Sequence, residues 1–160
     1  MGTMGMGTVV SGLGLRLGLA LALCAPSQGG AQAVADPASA ALLEAEAARL
    51  YDQPSRWADA VSLYRSAAQL RQHEDPQARQ DLFLAANLAY QLGDLPTAVD
   101  ALESAGTRAM SAGDALFATQ MFANAAQIAE EAGLEAHERR LRTRVAEIAT
   151  AADAQRRGRS

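Results

Sequence analysis

Few side chains in this sequence are equipped for covalent chemistry. The two histidines, His73 and His137, fall in different segments, and neither sits in the strand-turn-helix setting that raises a catalytic nucleophile, so no Ser/His/Asp arrangement is indicated. His73-Glu74-Asp75 and Glu135-Ala136-His137-Glu138 supply nitrogen and oxygen ligands, yet neither has two histidines one helical turn apart, the spacing that holds zinc on one face. Glu130-Glu131 pairs two carboxylates beside a helix end, where surface solvation accounts for them better than acid/base work. Cys24 is the one cysteine, and it lies in the first 35 residues, so the remainder has no intramolecular disulfide and no thiolate for catalysis or zinc. All 14 basic residues are arginine, which excludes a Schiff-base lysine and the phosphate-binding lysine of a P-loop. No catalytic residue, metal ligand or cofactor is therefore assigned, and the chain is expected not to be an enzyme.

Charge narrows the binding classes. A formal net charge of -4 and a pI near 5.1 argue against general nucleic-acid binding, which needs a basic surface to neutralise phosphates. The exception in the pattern is arginine at 139, 140, 142 and 144, with Arg156, Arg157 and Arg159 in the tail. Glu135 to Arg139 and Glu138 to Arg142 are i,i+4 pairs in the favourable order, so helix stabilisation explains two of these arginines. Arg140, Arg144 and the tail either solvate an open end or touch an anionic surface, and the latter is the reading from a different functional class.

Alanine supplies 38 of the 160 residues and aromatics only seven, so the core is expected to be close-packed, built from small side chains, and helical. The length fits one domain. Residues 1–35 stand apart from the rest, because eight of the 13 glycines precede residue 31 and Leu17 to Ala25 is an apolar run after Arg16. That order reads as a secretory signal peptide, with small-x-small cleavage sites after Ala33 and Ala35. The run is shorter than the ~20 apolar residues of a membrane span. Two alternatives stay open: an uncleaved anchor, and acylation at Cys24, because Leu21-Ala22-Leu23-Cys24 approximates a bacterial lipobox in which Leu23 is larger than expected. A periplasmic or secreted location follows from the first reading and a membrane-anchored lipoprotein from the last.

From Asp36 onward, prolines and glycines punctuate apolar-periodic segments. Asp36-Pro37 and Asp75-Pro76 each place an N-cap acceptor before a proline at the first helical position. Six helices are predicted at about 38–51, 55–72, 76–92, 95–110, 114–132 and 135–153, with Gly106 a weak point in the fourth and a disordered basic tail over 154–160. Ala47-Ala48, Ala85-Ala86 and Ala125-Ala126 superimpose at offsets of 38 and 40 residues, with turns at Ser55, Gly93 and Gly133. The second helices repeat small-then-large spacing at Ala60, Tyr64 and Ala67 and at Ala98, Leu102 and Ala105.

These units, about 36–75, 76–112 and 113–153, resemble the tetratricopeptide repeat family. The match is carried by Leu82, Ala85, Ala86, Gly93-Asp94-Leu95, Ala98, Leu102 and Ala105 in the second unit. The first contributes Ala48, Tyr51, Trp57, Ala60, Tyr64 and Ala67, and the third Phe122, Ala125, Ala126, Ala129 and Gly133. The last helix departs from the pattern at Glu138 and Arg142, and its stripe of Leu134, Leu141, Val145 and Ile148 suits an end helix. The period exceeds the family's usual one. The resemblance implies an all-α fold of antiparallel helical hairpins stacked as a short right-handed solenoid, and a role in binding a protein or peptide partner.

In that family the first helix of each pair lines the concave surface. Here the wheel places Gln80, Phe83, Asn87 and Tyr90 beside the core stripe of the third helix. The equivalent positions of the fifth helix are Gln120, Ala123, Gln127 and Glu130, with Asn124 beside them, and those of the first are Leu42, Ala45, Arg49 and Asp52. The amides suit the backbone of an extended peptide. Phe83 and Tyr90 would either stack on its side chains or pack on the neighbouring unit. With Arg49, Asn87 and Asn124 as the available contacts and no lysine, the family's grip on a C-terminal carboxylate is disfavoured.

Overall fold

A computed structural model of the chain describes residues 35–158. The expected leader up to Val34, including Cys24, and Arg159 of the tail lie outside the described residues. Six α-helices account for almost all of what is described, with no strand among those residues: α1 (Pro37–Tyr51), α2 (Trp57–Leu70), α3 (Pro76–Gln91), α4 (Leu95–Ser111), α5 (Ala115–Glu131) and α6 (Glu135–Arg157). Each packs on the helix before and the helix after it in the chain.

The helix starts follow from four aspartates. Asp36, Asp75, Asp94 and Asp114 accept from the backbone N–H of Ser39 (3.0 Å), Gln77 (2.8 Å), Thr97 (3.2 Å) and Phe117 (3.1 Å). Three helices end on a glycine of positive φ: Gly93, Gly113 and Gly133 at 76°, 77° and 69°. After each, the chain's next N–H returns to a carbonyl of the last turn, as Asp94 does to Ala89 (2.9 Å) and Asp114 to Ala109 (2.9 Å). Glycine closing one helix and aspartate opening the next leave almost no loop.

Both ends of α2 and the end of α6 differ from expectation. A 3-10 turn, Pro54–Arg56, precedes α2, and α2 stops at Leu70, where Arg71 turns to extended backbone (φ -93°, ψ 156°) with its side chain reaching the buried Asp81 and the half-buried Glu44. Residues 154–157, expected in a disordered tail, continue α6. Alanines favour the helix, Asp153 pairs with Arg156 (2.9 Å), arginines complement the C-terminal dipole, and Gly158 is the first breaker.

The core is alanine-dense. Ala47, Ala85 and Ala125, the aligned positions of α1, α3 and α5, are fully buried. Ala86 and Ala126 are buried as well, but Ala48 is exposed, since no described element packs on that side of α1. Gly106 is a close-approach point within an intact α4: a Cβ there would stand 2.8 Å from the Phe122 ring of α5. Leu141 is buried and Leu134, Val145 and Ile148 pack against the core, as the stripe on the last helix implies.

Candidate functional site

The side chains left over from packing meet in two clefts on α3. The first, about 260 Å³, lies between α3 and α5. From α3 come Phe83, Asn87 and Tyr90; from α5 come Asn124, Gln127 and Glu131; Ala86, Leu102 and Ile128 form the floor. Phe83 is half-buried, packing on the core while also lining the cleft. The exposed Tyr90 donates its hydroxyl to Glu131 Oε2 (3.1 Å), and Gln127 Nε2 donates to Oε1 (3.5 Å). That hydrogen bond and the nearby negative charge raise the Tyr90 phenol above its ordinary pKa. The second cleft, about 430 Å³, shares Asn87 and Tyr90 and is lined as well by Tyr51 and Trp57, whose indole N–H donates to the Tyr51 carbonyl (2.7 Å).

Five of the expected contact residues thus share one cleft: Phe83, Asn87, Tyr90, Asn124 and Gln127. Arg49, Gln80 and Gln120 do not. All three are exposed, and Arg49 pairs with Glu46 on its own helix. The wheel equivalent of Tyr90 is Glu130, which instead binds Arg142 (2.7 Å), and Glu131 takes the place in the cleft. The cause is geometric. A cleft between two equivalent helices draws its walls from different faces, so α5 presents the positions aligned with 84, 87, 88 and 91 of α3 rather than 83, 87 and 90. The spacing of Asn124, Gln127 and Glu131 over i, i+3 and i+7 carried that signal.

A third cavity, about 550 Å³, lies along α2 and α4 and includes Arg65, Gln69, His73, Asp100 and Arg108. Arg108 is committed to the end of α2, donating to the carbonyls of Ala68 (2.9 Å) and Gln72 (3.1 Å), and its burial lowers its pKa. Among the described residues no Phe, Tyr or Trp lines this cavity.

Sequence reasoning missed a buried ionic cluster. Asp81 of α3 is fully buried among Arg71 Nε (3.3 Å) and Gln77 Nε2 (3.4 Å), and Arg71 also reaches Glu44 of α1 (2.6 Å) and Asp75 (3.5 Å). Burial, then the Glu44 charge, push the Asp81 carboxyl up to about 6. A carboxyl tuned that high is often catalytic, but this one has no exposed surface for a substrate to reach, so its role is in packing. Among the described residues no group of ligands is arranged for a metal ion, and no helix is long and apolar enough to cross a membrane.

No family model, curated protein or solved structure matches the chain.

Proposed function

We propose that this chain is a helical-repeat protein of three tetratricopeptide-like antiparallel hairpins, stacked as a short right-handed solenoid, and that it binds an extended segment of a partner protein without catalysing a reaction. Support for the stack comes from positions 47, 85 and 125, which are equally buried at the repeat offsets, and from glycine-aspartate links too short for anything but a reversal. The observation that carries the binding reading is the cleft joining Phe83, Asn87 and Tyr90 to Asn124, Gln127 and Glu131. With the neighbouring Tyr51–Trp57 cleft, it offers amides for a peptide backbone and rings for side chains.

The test is affinity capture from the native host with the parent chain and with a Phe83→Ala, Asn87→Ala, Tyr90→Ala variant. A specific protein retained by the parent and lost by a variant of equal helicity supports the groove; equal capture by both refutes it. Export to a periplasm, or secretion, is part of the proposal and rests on the sequence of the leader. A mature N-terminus at Val34 or Asp36 is expected, whereas a diacylated peptide starting at Cys24 would make the protein a membrane-tethered assembly factor.

A further inference from the structure

We infer that the cleft between α3 and α5 is selective for an arginine side chain of its peptide, an inference that rests on the groove reading above. Among the described residues Glu131 is the one carboxylate or basic side chain on the walls of this cleft. Its two oxygens are held by neutral donors only, the Tyr90 hydroxyl (3.1 Å) and the Gln127 amide (3.5 Å). It forms no ion pair among the described residues, although its neighbour Glu130 has Arg142 and most other glutamates around it are matched in the same way. A carboxylate offers about four acceptor positions, so about two remain for a ligand.

The surroundings favour a planar cation. Phe83 and Tyr90 bring aromatic rings to the same cleft as that carboxylate, and a guanidinium stacks on aromatic rings while presenting its donor fork edge-on. Asn87 and Asn124 make no side-chain hydrogen bond among the described residues, leaving their amide oxygens free for the remaining donors. Lysine would satisfy the charge but not the stacking and the fork. An acidic or phosphorylated peptide would meet Glu131 with like charge and no compensating arginine.

A displayed library of random peptides, selected on the full chain, tests this. Selected peptides are expected to share an arginine, and synthetic copies with citrulline in its place should bind at least about tenfold more weakly. In a Glu131→Gln chain the arginine and citrulline forms should differ by less than about twofold, and parent binding should weaken as salt rises. If peptides are selected whose binding is lost in Phe83→Ala yet which tolerate citrulline, the arginine preference is overturned and the groove stands. If no peptide is selected, or the selected ones are indifferent to the Phe83→Ala, Asn87→Ala, Tyr90→Ala variant, both are overturned.

Discussion

Replacing Asp81 with asparagine should remove a pH-dependent cost from folding. The Asp81 carboxyl is pushed up to about 6 from its ordinary 3.8, so the folded chain holds this proton over a range where the unfolded chain has lost it. The sign follows directly. Stability from this group is fully present below roughly pH 4, falls as the pH rises through about 6, and is gone above it. The gap between the two values corresponds to about 3 kcal/mol. Asparagine keeps the shape and an acceptor for Arg71, and Arg71 still has Glu44 (2.6 Å) and Asp75 (3.5 Å), so no buried cation is stranded. Urea unfolding followed by helical circular dichroism, at closely spaced pH, gives the stability of variant minus parent. That difference should grow by about 3 kcal/mol between roughly pH 4 and 7. Taking the difference cancels groups such as Asp36, whose pKa is lowered by bonds from Ser39 and which works in the opposite sense. A difference that stays flat within ~0.5 kcal/mol, or shrinks, would refute the reasoning.

Removing the cation should act the other way: Arg71→Met leaves Glu44, Asp75 and Asp81 unneutralised and should cost about 3–5 kcal/mol near neutral pH, with partial recovery in acid, read by the same unfolding curves. Gly106→Ala should destabilise by about 1–3 kcal/mol despite the better helix propensity of alanine, because its Cβ would meet the Phe122 ring at 2.8 Å. Adding Phe122→Leu should relieve part of that clash, and strictly additive losses in thermal unfolding would contradict it. Asp114→Ala should cost about 1–2 kcal/mol through the lost cap on Phe117 and the lost pair with Arg79 (3.1 Å). The cost should be smaller when Arg79 is already alanine, which a double-mutant cycle measures.

The helices were legible because their ends are written in local chemistry. Asp-Pro and Gly-Asp junctions set caps that need no tertiary information, and their boundaries differ from the structure by a few residues. The face bearing Phe83, Asn87 and Tyr90 was legible for the same reason, since it depends on the period of one helix. What faced it was not. Glu131 enters the cleft through the contact of α5 with an element forty residues earlier, and a wheel drawn helix by helix selects Glu130 instead. The ionic cluster lay further out of reach. Asp81 interrupts an apolar stripe, and its neutralising partner is an arginine just past the end of another helix, itself shared with a third. Until α1, the end of α2 and α3 are placed together, each of these side chains reads as ordinary surface charge.

That cluster also bears on how α3 is held against the first two helices. Glu44 of α1 aligns with Leu82 and Phe122, the large apolar residues that fill the same place in α3 and α5, so the junction of α1 with α3 is polar where the later one is apolar. A buried ion pair contributes little net stability relative to well-packed apolar residues, but it tolerates few arrangements, because every displacement leaves a charge unmatched. Here the matched arrangement draws Arg71 out of α2, and Arg71 fixes the first turns of α3 through Asp75 and Asp81. Asp81 lies two residues before Phe83 on the opposite side of the same helix. The network therefore ties one side of α3 to α1 and to the end of α2, while Phe83, Asn87 and Tyr90 line the cleft towards α5. Glu44 thus stands where α3 and α5 carry a large apolar side chain, and it supplies the acceptor that holds Arg71 beside Asp81.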